Sequence, residues 1–136
     1  MHWMLMPLRR YAEFSGRSRR KEYWMFVLLN LIVSLVIGVL GAWGAASGLF
    51  SSEEELMLYF MATAGLYTLV TFLPGLAVSV RRLHDTNRSG WNILWGLMPV
   101  IGPLILIFLY ATEGTNGPNR YGEDPIEDRM GEPLAA

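Results

Sequence analysis

Three long stretches of this 136-residue chain contain no Asp, Glu, Lys or Arg: Tyr23 to Phe50, Leu56 to Val80 and Trp91 to Ala111. A helix on the surface of a soluble protein shows charge on its wet face, so the absence excludes an ordinary soluble bundle. Each stretch also meets the roughly 20 apolar residues needed to cross a hydrocarbon core of about 30 Å. Cysteine is absent as well, which excludes disulfides, thiolate metal sites and a cysteine nucleophile, and says nothing about compartment. A surplus of one charge is missing too, since 11 basic residues face 12 acidic ones. That balance argues against bulk attraction to nucleic acid.

What is present is apolar, at 52% hydrophobic residues. The predicted fold class is all-α: a polytopic integral membrane protein with three transmembrane helices over about 23–50, 56–80 and 91–111. Residues 1–125 form a single membrane domain, and 126–136 a mobile C-terminal tail. The three runs leave no room for a separate soluble catalytic domain. The first run is too long, and begins too deep in the chain, for a cleavable signal peptide, and reads as an uncleaved anchor. The short patch Trp3, Met4, Leu5, Met6 and Leu8, with Pro7 inside it, cannot span and is expected to lie against the membrane surface.

The charges set the orientation. Arg9, Arg10, Arg17, Arg19, Arg20 and Lys21 precede the first run, and Arg81, Arg82 and Arg88 separate the second from the third, whereas the first link carries Glu53, Glu54 and Glu55 with no basic residue. The positive-inside rule then places the N-terminus and the Arg81 loop in the cytoplasm. A third full crossing leaves the tail outside. The third run is the irregular one, with Gly96, Pro99, Gly102 and Pro103 near its centre. Interior prolines forfeit an amide donor and cost about 3 kcal/mol each in a regular helix. The run is therefore kinked or broken at Pro99 and Pro103, and two readings stay open. A kinked full crossing is the expectation, because 21 residues at about 1.5 Å rise just cover the core. A re-entrant hairpin is the alternative, and returns the tail to the cytoplasm.

Small residues repeat at four-residue spacing in the first run, at Ser34, Gly38, Ala42 and Ala46, and Gly44 and Gly48 form a GxxxG. Such stripes let helix backbones approach closely, here within one protomer or across a homo-oligomer seam. Ala64, Thr68, Thr71 and Gly75 form the matching side of the second run, with Pro74 expected to kink it.

Three motifs carry polar chemistry. The first, Phe14 to Trp24, stacks cations under Tyr23 and Trp24, as expected at the headgroup level, with Gly16 as a turn into the helix. The second, Arg81-Arg82-Leu83-His84-Asp85, sets His beside Asp. Adjacent helical residues point about 100° apart, so the two are no automatic dyad. Asp85 is expected to pair with an arginine three positions away, Arg82 or Arg88, and His84 to bond a neighbouring loop. One His and one Asp are too few for a closed zinc site, and no other pattern requires a cofactor. The third, Gly114 to Pro125, is dense in turn formers and reads as a compact loop. Its oxygens follow no EF-hand spacing.

These three motifs resemble the small bacterial inner-membrane proteins of the YhaH type, domain of unknown function 805, over roughly Phe14 to Pro125. The resemblance rests on Phe14, Gly16, Arg17, Arg20, Tyr23 and Trp24; on Arg81 to Asp85 with Ser89-Gly90-Trp91; and on Pro99, Gly102, Asn119-Arg120-Tyr121-Gly122 and Asp124-Pro125. It implies location in the bacterial inner membrane and a shared fold, and carries no activity with it.

The resulting expectation is a non-enzymatic binding or scaffold protein. Arg17, Arg20, Arg81 and Arg82, with His84 and Asp85, form a cytoplasmic site for an anionic lipid headgroup or a protein partner. A small transporter or channel subunit, with a site at the broken third run, is the alternative, because discontinuous helices commonly hold substrates. Asn30, Thr63, Thr68 and Thr71 are the candidate path for it. An enzyme built on His84 and Asp85 comes third, without an evident nucleophile.

Overall fold

The computed structural model describes residues 2–125, and the tail expected to be mobile lies outside the described residues. Helix α1 covers His2–Arg9, α2 covers Arg20–Ala46 and α3 covers Glu53–Asp85; a 3-10 segment, Gly90–Leu97, and α4, Ile101–Ala111, follow. The described residues are helical apart from turns and one isolated bridge between Asn119 and Gly122.

Helices α2 and α3 are long and apolar enough to cross a membrane, while α4 is a shorter apolar helix. The Glu-rich link proves to be the first turn of α3. Ser52 caps it by accepting from the Glu55 amide at 3.2 Å, and Glu55 reaches back to the Ser51 amide at 2.6 Å. Three carboxylates at a helix N-terminus also suit the helix dipole. At its other end α3 runs on through the Arg81 to Asp85 motif, and Pro74 is buried inside it without ending it.

The long helices pack on each other along a seam that differs in part from the predicted one. Gly41 and Gly44 are its buried residues: a side chain at Gly41 would meet the Phe60 ring at 2.5 Å, and one at Gly44 the Phe50 ring at 2.5 Å. Ala42 and Ala46 face outward, whereas Ser34 and Gly38 line a small cavity with Ala64 and Thr68 of α3, as the predicted stripes implied. The predicted stripe took the small residues at a strict spacing of four, whereas the seam admits aromatic rings and needs glycine only where a ring enters. Gly44 is thus used within the protomer. Deeper in the seam, Tyr67 donates to Asn30 Oδ1 at 2.9 Å and Tyr59 to the Ile37 carbonyl at 3.2 Å.

The third run is not one continuous helix. Leu97 is followed by a break, and Val100, with a φ of 67°, starts the chain back. The two limbs lie side by side, so that a Cβ on Gly96 would stand 3.1 Å from Leu106. Its beginning sits on α3, where a Cβ on Gly90 would stand 2.8 Å from Val80. Its end returns to the same level, with the Tyr110 ring 4.4 Å from that of Tyr23 and the Tyr110 carbonyl accepting from Arg82 at 2.9 Å. In place of a single kinked helix, the run forms two limbs that reverse on each other, the broken form that the prolines also allowed. Pro99 and Pro103 flank a reversal, and a length estimate that assumed continuous helical rise failed at that break.

Burial is inverted relative to a soluble protein. Leu69 on α3 is 73% exposed, and Leu31, Leu35, Leu58 and Phe72 are also open, while Arg81 and Arg82 are 0% exposed. The ordered core is small, centred on Leu83, Leu109 and Tyr110 with Tyr23, Ile93, Ile105 and Leu106 against it.

Candidate functional site

The charged motifs meet at one end of the helix pair. Gly16, at a φ of 80°, makes the turn that a side chain would strain and directs Arg17 inward. Arg17 Nε donates to Asp85 Oδ1 at 2.9 Å, and its terminal nitrogens donate to the carbonyls of Gly117 at 2.7 Å and Thr115 at 2.5 Å. Asp85 Oδ2 accepts from Arg82, whose other nitrogens reach the carbonyls of Tyr110 and Thr112. One buried carboxylate thus bridges the N-terminal segment and α3, while its two arginines reach the C-terminal loop. Gly114 lies close enough that a Cβ there would run into the Asp85 carboxylate.

Arg81 forms the second centre. It pairs with Glu22 at 2.9 Å, both side chains being almost fully buried, and donates to the Glu13 carbonyl at 3.2 Å. Its own carbonyl accepts from the Ser18 amide at 3.1 Å. Beyond it, exposed Glu13 is held by Arg10 through two contacts of 2.7 Å. Those hydrogen bonds lower the Glu13 carboxyl from its usual range and raise Arg10.

His84 and Asp85 diverge. Asp85 points into the arginine pair, whereas the His84 ring stacks on Tyr121 at 3.8 Å with Nδ1 3.3 Å from the Gly16 carbonyl. The C-terminal loop caps the end of α3. Thr115 donates its amide and hydroxyl to the Asp85 carbonyl at 2.9 and 3.1 Å, and Asn119 donates to the His84 carbonyl at 3.0 Å. These are carbonyls that a helix C-terminus leaves without partners. Sequence reasoning missed the capping role of Thr115 and Asn119 and the carbonyls that receive the arginines. The density of turn formers from Gly114 onward signalled a fixed loop, but nothing local in the sequence pointed it at α3.

Of the six predicted residues, Arg17, Arg81, Arg82 and Asp85 are buried together, with His84 at their edge. Arg20 lies outside that cluster, half-exposed, and pairs with the exposed Glu113 at 2.8 Å. It borders a cleft of about 280 Å³ walled by Arg19, Arg20 and Lys21 on one side and by Glu113, Asn116 and Asp124 on the other. The Trp3 ring lies within 5.6 Å of the Arg19 guanidinium and 5.7 Å of the Lys21 ammonium, which ties α1 to the rim.

A groove of about 360 Å³ runs between α2 and α3, with Asn30, Thr71 and Ser79 on its walls. Its polar groups are engaged within the helices. Asn30 donates to the Phe26 carbonyl at 2.7 Å, Thr71 to Tyr67 at 2.8 Å and Ser79 to Gly75 at 2.7 Å, while Thr63 likewise donates to Tyr59 at 2.6 Å.

The family described as a protein of unknown function (DUF805) matches residues 11–123. The chain is 48% identical to inner membrane protein YhaI of Escherichia coli K12, over 92% of this chain and 96% of that one. It is 44% identical to inner membrane protein YhaH of the same organism, over 92% and 97% of the two chains. Uncharacterized protein YiiR, again from that organism, is 29% identical over 82% of this chain and 85% of its own. No solved structure matches.

Proposed function

Because the chain belongs to the DUF805 family of proteins of unknown function, we propose that it is, like the relatives named inner membrane proteins, a multi-pass protein of the bacterial inner membrane. Its helices α2 and α3 cross the bilayer, and the third run enters and leaves from the cytoplasmic side as a re-entrant hairpin. Both the N-terminal segment and the C-terminal loop are cytoplasmic. One observation carries this reading: Arg17, Asp85 and the carbonyls of Thr115 and Gly117 are joined in a single buried cluster. Segments tied that closely share one side of the membrane, and the basic residues make that side the inner one.

The proposed role is non-enzymatic binding of an anionic headgroup at the cationic wall of the cleft. Arg17, Arg81 and Arg82 are engaged by carboxylates and carbonyls, so their part is to hold the wall in place. Arg20 and Lys21 are exposed and face the headgroup level. An exposed ion pair such as Arg20 with Glu113 contributes about 0–1 kcal/mol, so exchanging Glu113 for a phosphate costs little. Each cation beside an anionic leaflet then gains about 1 kcal/mol.

The test is lipid retention. Detergent-solubilised protein is given phosphatidylglycerol and phosphatidylcholine in equal amounts, and retained lipid is read by native mass spectrometry. Retention should favour phosphatidylglycerol, and should fall with added salt and with Arg20→Gln combined with Lys21→Gln. Equal retention of both lipids at low salt would sink the proposal.

A further inference from the structure

We propose that the protein is a membrane wedge, wider in the cytoplasmic leaflet than in the outer one, and that its partner is a lipid surface curved so that the cytoplasmic leaflet is expanded. This rests on the re-entrant reading above. Helix α4 has 11 residues, about 16 Å at 1.5 Å per residue, or half of a hydrocarbon core of about 30 Å. The 3-10 limb has 8 residues, about 16 Å at 2.0 Å per residue. The limbs match in length, and both start from the level of Arg82, so the hairpin ends near mid-bilayer.

The tip is built for hydrocarbon. Leu97 and Val100 are 79% and 78% exposed, and no charge lies between Trp91 and Ala111. At that depth each backbone polar group without a partner costs several kcal/mol. Here three amides of the turn are satisfied within it: Met98 donates to Trp95 at 2.9 Å, Ile101 to Pro99 at 2.8 Å and Gly102 to Met98 at 3.1 Å, while Pro99 has no amide hydrogen to satisfy.

The two halves of the molecule therefore differ in cross-section. The inner half holds α2, α3 and both limbs of the hairpin, with α1 against its rim. The outer half holds α2 and α3 alone, at the stretch where Gly41 and Gly44 admit the Phe60 and Phe50 rings. A helix is about 10–12 Å across, so each extra limb adds on the order of 100 Å² to the inner leaflet. An inclusion that expands one leaflet is accommodated best where that leaflet is already convex, the dependence that makes one-sided helix insertion sensitive to curvature.

The experiment uses the full chain carrying a fluorophore at the N-terminus, reconstituted into giant vesicles in both orientations. A thin tether is pulled from each vesicle, and an impermeant quencher separates outward-facing from inward-facing molecules. Molecules with the cytoplasmic face outward should be enriched in the tether by roughly twofold over the vesicle body, and inward-facing ones depleted. The two orientations are the same protein in the same lipid, so no variant has to fold. Equal sorting in both orientations, or enrichment of the inward-facing molecules, would overturn the wedge. Thiol labelling of single cysteines at Ser15 and Asn116 in the same vesicles separates the two failures. Labelling of both from one side with equal sorting rejects the wedge and leaves the hairpin standing, while labelling from opposite sides rejects the hairpin itself.

Discussion

Arg17 Nε lies 2.9 Å from the Asp85 carboxylate, although 68 positions and both long helices separate the two residues in sequence. The same carboxylate holds Arg82 through its other oxygen. A buried carboxylate shared by two buried guanidinium groups is the point at which the N-terminal segment, α3 and the C-terminal loop are fastened to one another.

Asp85→Asn keeps the shape and removes the charge, leaving two buried arginines short of a counter-ion. Removing one partner of a buried pair costs about 3–5 kcal/mol, so thermal unfolding in detergent should show a loss of that order. Gly114→Ala tests the same centre without changing charge, because the added methyl runs into the Asp85 carboxylate, and it should also destabilise. Parental stability in both variants would contradict the account of this cluster.

The pair of Arg81 with Glu22 makes a separate prediction. Glu22→Gln takes the nearest carboxylate from a fully buried cation, whose other one, on exposed Glu13, stands 4.0 Å away, and should cost about 3 kcal/mol. Glu22→Leu combined with Arg81→Met removes both charges and should recover most of that loss. A double-mutant cycle should show an interaction of at least about 1 kcal/mol. If the double change is as damaging as the sum of its single changes, the pair is not what stabilises this corner.

Val100 adopts a φ of 67° at the tip of the hairpin, a conformation that a β-branched residue reaches only under strain. Strain of this kind is typically about 1–3 kcal/mol, and glycine relieves it at the cost of some chain entropy. Val100→Gly should therefore raise stability in detergent by about 1 kcal/mol. A fall in unfolding temperature would mean that the turn is not built this way.

How much of this was legible in the sequence depended on range. The absence of charge located α2 and α3, and the i−3 spacing of Arg82 to Asp85 anticipated a contact that local helix geometry fixes. The prolines of the third run announced a break. Its direction is decided by the packing of Gly96 on Leu106 and of Tyr110 on Tyr23, contacts between residues that sequence spacing alone does not relate. The Ala42 and Ala46 end of the seam was misplaced for the same reason, since Gly41 is needed only because Phe60, on the other helix, enters there. Arg17, Arg81 and Arg82 were named from the sequence as site residues, whereas Arg19 and Lys21 of the cleft were not. The burial of those three arginines was not foreseen, because the acceptors that make it possible include backbone carbonyls of Tyr110, Thr112, Thr115 and Gly117, which carry no sequence signature.

The central claim is that the third run returns to the side it came from, and cysteine accessibility in intact cells tests it most directly. The chain has no cysteine of its own, so each introduced thiol reports one position. Cysteines placed at Ser15, Asn87, Asn116 and, at the other end of the helix pair, Ser51 all occupy exposed sites. An impermeant thiol reagent should label the protein carrying cysteine at Ser51, and should leave those at Ser15, Asn87 and Asn116 unlabelled until the membrane is opened. Labelling at Asn116 in intact cells while Ser15 stays protected would show a full third crossing and contradict the account.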